Sequence, residues 1–293
     1  MTNARLVRRR PTMRTRVVID PEVWPSVAAH LAETRAALEE LLIALERRTT
    51  PDLVHDARAA LRRAAVAEAL IGTAPAPSVG RHGASPLTRL ANQLASVRDL
   101  DVAATILPAR PDLAAERTKR AERLPELARA ARVCLPGPTS TPDTRRVVDL
   151  EALVRSWQRR ARRAAQRPGM DELHALRRSA RRLRLASELL APIAPATSVR
   201  LRRRALALTT HLGRAHDLQI AALLLERSTR STARLLARRA TKLARGWQPL
   251  AVRTSTELDG WLCALSSRNS APTILASTLV SGGADDTLLD VEP

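Results

Sequence analysis

Residues Glu172 to Ala186 read ELHALRRSARRLRLA, and residues Leu53 to Ala65 read LVHDARAALRRAA. Each stretch carries one histidine followed by arginines at the three- and four-residue spacing of a helix face. His55 aligns with His174, and Arg58, Arg62 and Arg63 align with Arg177, Arg181 and Arg182. A feature that recurs in this way predicts an internal duplication, and a duplication decides the whole fold.

A second anchor supports the repeat. Leu94 to Leu107 reads LASVRDLDVAATIL and Leu212 to Leu225 reads LGRAHDLQIAALLL, which sets Asp99 against Asp217. Both anchors keep the same order and nearly the same separation in the two halves, so coincidence is a poor explanation. We therefore predict an all-α fold of two four-helix bundles, related by a pseudo-twofold internal repeat.

Helical periodicity runs through nearly the whole chain, and no alternating stretch long enough to predict a strand is present. The predicted helices cover about 23–48, 52–71, 87–107 and 113–135, then 145–167, 170–190, 199–225 and 229–250, with a short piece at 256–265. The predicted units are a basic N-terminal segment (1–19), a first half (20–135), a Pro/Gly-rich linker (136–144), a second half (145–250), and a short helix with a disordered tail (251–293).

The charge of the chain predicts a polyanionic partner. There are 49 Lys and Arg against 29 Asp and Glu, for a net charge of +20. Nucleic acid, an anionic membrane surface and inorganic polyphosphate all satisfy this charge. Aromatic residues narrow the choice, since the chain has four Trp and no Phe or Tyr. Proteins that bind single-stranded nucleic acid stack the bases on aromatic rings. A scarcity of aromatic residues therefore favours a duplex backbone, or a phosphate chain without bases, as the partner.

The arginines of the second repeat share one helix face. At about 100° per residue, Arg177, Arg178, Arg181, Arg182 and Arg184 all fall within about 80° of His174. Leu173, Leu176, Ala180, Leu183 and Leu190 fall on the opposite side, where a bundle core would take them. Residues 173–187 contain no acid, whereas a solvated face normally mixes signs. The first copy has only three arginines, with Ala59 and Ala65 in place of the others, so we expect weaker anion binding by the first half.

The cellular compartment is predicted from targeting signals that the sequence does not show. The basic N-terminus is not followed by the apolar stretch of a secretory signal, and no run has the length of a membrane span. Cys134 and Cys263 have no metal-ligand spacing. We expect a cytoplasmic protein that does not bind membranes and uses no metal or cofactor.

With two H-x-x-R-x-x-x-[RK]-R helices, each followed by a D-L helix, the chain resembles the CHAD family over roughly Asp20 to Leu250. The resemblance implies two four-helix bundles with a basic surface and a central cavity that bind inorganic polyphosphate, and some members associate with polyphosphate granules. By this resemblance the polyphosphate-binding face comprises His55, Arg58, Arg62, Arg63, His174, Arg177, Arg178, Arg181, Arg182 and Arg184. Asp99 and Asp217 match the acidic positions of the family, and we interpret them as structural because a carboxylate repels a polyanion. Leu185 departs from the aromatic residue often found in the second motif.

Two alternatives accompany this prediction. His55–Asp56, together with His30 and Asp101, could belong to a metal-dependent phosphohydrolase, but Ala175 follows His174, so the repeat does not copy the metal-ligating acid. The His216–Asp217 pair lacks further ligands at helical spacing. We therefore expect no enzyme activity. Nucleic-acid backbone binding is the stronger alternative, because arginine clusters also lie outside the motif, at 159–163, 202–204 and 238–242. The sequence leaves open whether the two faces form one groove or two sites.

Overall fold

The computed structural model describes residues 16–71, 85–107, 110–135, 146–225 and 229–268. The predicted linker and the predicted disordered tail after residue 268 lie outside the described residues, as does the N-terminal segment before Arg16.

Helices dominate the described residues, which confirms the prediction of an all-α fold. The first half comprises β1 (Arg16–Ile19), α1 (Trp24–Leu45), α2 (Pro51–Ile71), α3 (Pro86–Ile106), α4 (Pro111–Ala121) and α5 (Leu124–Val133). The second half comprises β2 (Arg146–Asp149), α6 (Glu151–Gln166), α7 (Met170–Leu189), α8 (Pro195–Leu225), α9 (Arg230–Ala244) and α10 (Trp247–Arg268). Within the described residues, one strand and five helices lie on each side of the predicted linker, whereas four helices were predicted before the linker and four, followed by a short helix at 256–265, after it. The predicted short helix is part of α10.

The two short strands correct the expectation that the chain has none. β1 and β2 pair antiparallel, with Val17 opposite Val148 and Val18 opposite Val147. Val17 and Val148 are completely buried. The sequence carries this signal as a third repeat, since RVV begins both strands. Four residues are too few for a period of two to stand out, so a periodicity search misses them.

Proline and glycine explain where the other helix boundaries differ from the prediction. The predicted helix 113–135 is divided into α4 and α5 because Pro125 cannot donate a backbone hydrogen bond and is tolerated only in a first helical turn. Gly246 has a φ of +85° and separates α9 from α10. This left-handed conformation is the usual way for a helix to end at glycine.

Equivalent elements of the two halves meet in the folded chain. β1 pairs with β2, α2 packs against α7, and α3 packs against α8. The larger hydrophobic core also joins the halves, since Trp24 and Leu70 of the first half pack with Trp157 and Trp261 of the second. The predicted core face of α7 is confirmed, because Leu173, Leu176, Ala180, Leu183 and Leu190 are all buried. This packing brings the two histidine-arginine helices side by side.

Candidate functional site

The line along which α2 packs against α7, which we call the seam, collects arginines from both halves. The apolar residues of each helix turn into the core, with Leu61 of α2 and Leu176 of α7 both buried. This amphipathic division leaves the opposite face of each helix to its charged residues. Four of these, which we call the arginine cluster, lie half-buried at the seam: Arg58, Arg62, Arg177 and Arg181.

Members of the arginine cluster act on one another across the seam. Burial, followed by the charges of Arg58, Arg177 and Arg184, lowers the pKa of Arg62 to about 9. Burial likewise lowers the pKa of Arg181 to about 9, with contributions from Arg62, Arg177 and Arg58. Each guanidinium is still charged at neutral pH. The cluster therefore concentrates positive charge from both halves at one place.

Two histidines lie next to the cluster. The rings of His174 and His216 have their centroids 4.1 Å apart, at an angle of 35°. Burial, followed by the charges of Arg178, Arg177 and Arg181, lowers the pKa of His174 to about 4. Burial and the neighbouring His174 lower that of His216 to about 3. Both imidazoles are neutral at pH 7, and the buried Nδ1 of His174 has no hydrogen-bond partner among the described residues.

His55 differs from its repeat partner because it is exposed. Burial of part of its ring and the charges of Arg98, Arg62 and Arg58 lower its pKa, while the carboxylate of Asp56 raises it. Protonation of His55 is therefore disfavoured in the free protein, in the direction expected from the surrounding arginines.

Asp99 and Asp217 lie beside the arginine cluster, one from each half. An oxygen of Asp99 is 4.0 Å from Nη1 of Arg58. Burial raises the pKa of both carboxyl groups, and the charges of Arg58 and Arg177 oppose this rise. The two carboxylates partly offset the positive charge of Arg58 and Arg177, because they raise the pKa of both guanidinium groups against the effect of burial.

Helix α8 holds Arg177 in place. The Nε of Arg177 donates a hydrogen bond of 3.3 Å to the carbonyl oxygen of Thr209. One turn further along α8, a Cβ at Gly213 would lie 3.1 Å from Nη2 of the same guanidinium. Glycine at this position therefore leaves room for the arginine.

We predict that Gly213→Ala weakens polyanion binding about threefold to fivefold while leaving the protein as stable as before, or up to about 1 kcal/mol more stable. Alanine favours a helix over glycine by about that amount, but its methyl group would displace the Arg177 guanidinium. Gly260→Ala on α10 is the matched control, because a Cβ at that position would have nothing within 4 Å. Binding titrations and thermal melts should show a loss of affinity in G213A alone; equal affinities in the two variants would contradict the role of Gly213.

The remaining motif arginines face other groups besides the cluster. Arg178 and Arg182 are exposed on α7, where their charges, after burial, help to lower the pKa of Arg160 on α6. Arg63 and Arg184 both face Glu188, at Nε–oxygen distances of 3.9 and 3.5 Å. The predicted face of five arginines on α7 is thus divided between the seam, the outer surface and an ion pair.

The predicted polyphosphate-binding face did not include Arg98 or His216, and His216 had been considered only as a metal ligand. Both precede the repeated aspartates, so the alignment of SVRDL with RAHDL already places them at equivalent positions. Both residues contribute to the site: the charge of Arg98 lowers the pKa of His55, and the ring of His216 lies against the ring of His174. The signal was present in the repeat, but it was obscured because one copy has arginine where the other has histidine.

The proposed ligands of a phosphohydrolase centre do not assemble. Asp101 is held by Arg117, with Nε 3.0 Å from the carboxylate, and His30 lies 3.9 Å from Glu33. Among the residues that the structure describes, no group of three His, Cys, Asp or Glu side chains could hold a metal ion. None of the described helices combines the length and the apolar character needed to cross a membrane.

The described residues form a helical protein in which α2 and α7, the helices that carry the repeated histidine-arginine motif, together present a cationic cluster. The family model of the CHAD domain matches residues 26–226, and the chain belongs to this family. Helices α9 and α10 lie beyond the match, although α10 contributes Trp261 and Leu265 to the larger core. Neither the curated proteins nor the solved structures contain a significant match.

Proposed function

We propose that this protein binds inorganic polyphosphate without catalysing a reaction, through the arginine cluster and histidines at the seam. The observation that carries this proposal is the half-buried cluster itself, in which burial, followed by the charges of the other cluster arginines, lowers the pKa of Arg62 and of Arg181 to about 9. Like charges held this close and partly desolvated destabilise the free protein. A chain of phosphates would relieve the repulsion and form charge-assisted hydrogen bonds with each guanidinium.

Burial of every aromatic ring favours a partner without bases. Trp157 and Trp261 are 1% and 0% exposed, and Trp24 and Trp247 are 4% exposed. The chain contains no Phe or Tyr, so no ring is available to stack on nucleic-acid bases. Polyphosphate needs only cationic hydrogen-bond donors, and the family resemblance supports the same ligand. Association with polyphosphate granules is part of this proposal.

We further propose that the two halves are duplicated bundles related by a pseudo-twofold axis. The pairing of β1 with β2, of α2 with α7 and of α3 with α8 supports this symmetry, because each pair consists of equivalent elements. One bound chain would then contact equivalent arginines from both halves.

Competition between polyanions tests the proposed ligand. Wild-type protein loaded with duplex DNA or with tRNA is titrated with long-chain polyphosphate at matched phosphate concentration and a fixed salt concentration, because all three interactions weaken with salt. We expect polyphosphate to displace both nucleic acids. The reverse order of displacement would contradict the proposal and favour binding of a nucleic-acid backbone.

A further inference from the structure

Glu188 places a carboxylate at the far end of the charged face of α7. It lies fourteen residues after His174, about 21 Å along the helix and on nearly the same side. One carboxylate oxygen is 3.9 Å from Nε of Arg63 on α2, and the other is 3.5 Å from Nε of Arg184 on α7. A single carboxylate therefore connects the two halves at this end of the seam.

Two adjoining cavities open beyond this carboxylate. One, of about 340 Å³, is lined by residues that include His30, Arg63, Glu188 and Arg202. The other, of about 370 Å³, adds Arg184 and Arg203 and shares Glu188 and Arg202 with the first. Each volume lies within the range of sites that accept small ligands. Their combined lining holds four arginines and one carboxylate, which favours an anionic ligand.

We propose that these cavities form a second phosphate subsite, and that Glu188 is a displaceable carboxylate that closes it in the free protein. This inference rests on the proposed function. The arginine cluster leads to the subsite, because the charge of Arg184 acts on both Arg62 and Arg181. A phosphate chain that continues along the seam would take over Arg63 and Arg184, since phosphate offers more charge and more acceptor oxygens than one carboxylate.

Removing the carboxylate tests the proposal. Glu257 supplies a matched control, because it also faces two arginines, Arg200 at 3.3 Å and Arg204 at 3.9 Å, and is 22% exposed against 21% for Glu188. We expect Glu188→Gln to raise the affinity for long-chain polyphosphate about tenfold and Glu257→Gln to change it less than about twofold. Tripolyphosphate cannot span the distance of about 21 Å from His174 to Glu188, so it cannot occupy the histidine end of the cluster and the subsite at once and should gain less affinity in E188Q than the long chain does.

A second substitution tests whether the added affinity of E188Q comes from the proposed subsite. In the E188Q background, Arg202→Ala should remove most of the added affinity, whereas Arg238→Ala, an exposed arginine on α9, should not. Circular dichroism checks folding. Should E188Q fail to fold, R202A in the wild-type chain gives an equivalent test, with weaker binding of long chains and unchanged binding of tripolyphosphate.

The possible outcomes separate this inference from the proposed function. Equal gains in E188Q and E257Q would indicate a general field effect and overturn the inference alone, as would weaker binding by E188Q. Absence of polyphosphate binding by wild type and by E188Q would contradict both proposals.

Discussion

Replacing Arg62 and Arg181 together with methionine is expected to lower the affinity for polyphosphate about 100-fold or more, while making the free protein more stable. Each substitution would remove charge-assisted hydrogen bonds between a guanidinium and the phosphate chain, each worth about 1.5 to 3 kcal/mol. Stability should rise by about 1 to 2 kcal/mol, because an apolar side chain of similar volume replaces a half-buried charge that its neighbours repel. Both residues have a pKa of about 9 as a result of burial and of the neighbouring arginines.

The exposed pair Arg178 and Arg182 provides the control on α7, the helix that carries Arg181. We expect R178M/R182M to weaken binding less than about tenfold and to leave stability unchanged within about 0.5 kcal/mol. Binding titrations and chemical denaturation of both double variants measure these differences. A loss of stability in R62M/R181M, or an equal loss of affinity in the two double variants, would contradict the assignment of the cluster as the binding site.

Affinity for polyphosphate is expected to rise about tenfold from pH 8 to pH 5. His174 and His216 are neutral in the free protein, with pKa values of about 4 and 3 because they are buried among cations. Phosphate oxygens next to the rings favour the protonated form and raise these pKa values. Between the free and the bound pKa the complex takes up protons, so affinity rises as the pH falls and levels off below the free value.

Histidine variants isolate this effect from other titrating groups. Asp99 and Asp217 face the same cluster and have raised pKa values, so their protonation at low pH would also favour a polyanion. H174Q/H216Q should keep that contribution and lose the rest of the pH dependence. His211→Gln serves as the control. The His211 ring lies 2.9 Å from the carbonyl oxygen of Arg245, and His211 is not among the groups that lower the pKa of Arg62 or Arg181. Identical titration curves at pH 5 and pH 8 would exclude the two histidines from the site.

Without ligand, the lowered pKa values of His174 and His216 predict that the protein loses stability in mild acid. Histidines in the unfolded chain have a pKa of about 6.5, well above the folded values of His174 and His216. From about pH 6.5 down to about pH 4 for His174 and about pH 3 for His216, the unfolded chain therefore binds protons that the folded chain excludes. The free energy of unfolding should fall through this window, and polyphosphate should restore it.

Periodicity was sufficient to predict the helices and the faces that they bury. The apolar positions of α7 recur every three or four residues, and that spacing alone placed Leu176 and Leu183 in the core. The duplication likewise predicted which helices carry the charged residues. Boundaries were harder to predict because they depend on single residues: Pro125 divides α4 from α5, and Gly246 ends α9.

Which residues form the site depends on contacts between the two halves, and a local sequence pattern does not predict such contacts. Residues on one helix face look equivalent in a helical projection, yet α2 approaches only part of that face. Arg177 and Arg181 therefore lie half-buried against Arg58 and Arg62, whereas Arg182 stays exposed. The role of Glu188 also depends on packing, since Arg63 is distant from it in sequence.

Calorimetry of the single variants R62M and R181M tests most directly whether the two halves form one site. The ligand is a polyphosphate chain too short to bind two protein molecules. A shared site predicts that each variant, whether changed in the first or the second half, binds one chain with a similarly reduced affinity. Two independent sites would instead leave each variant with one site of unchanged affinity and half of the wild-type stoichiometry, and that result would contradict the account.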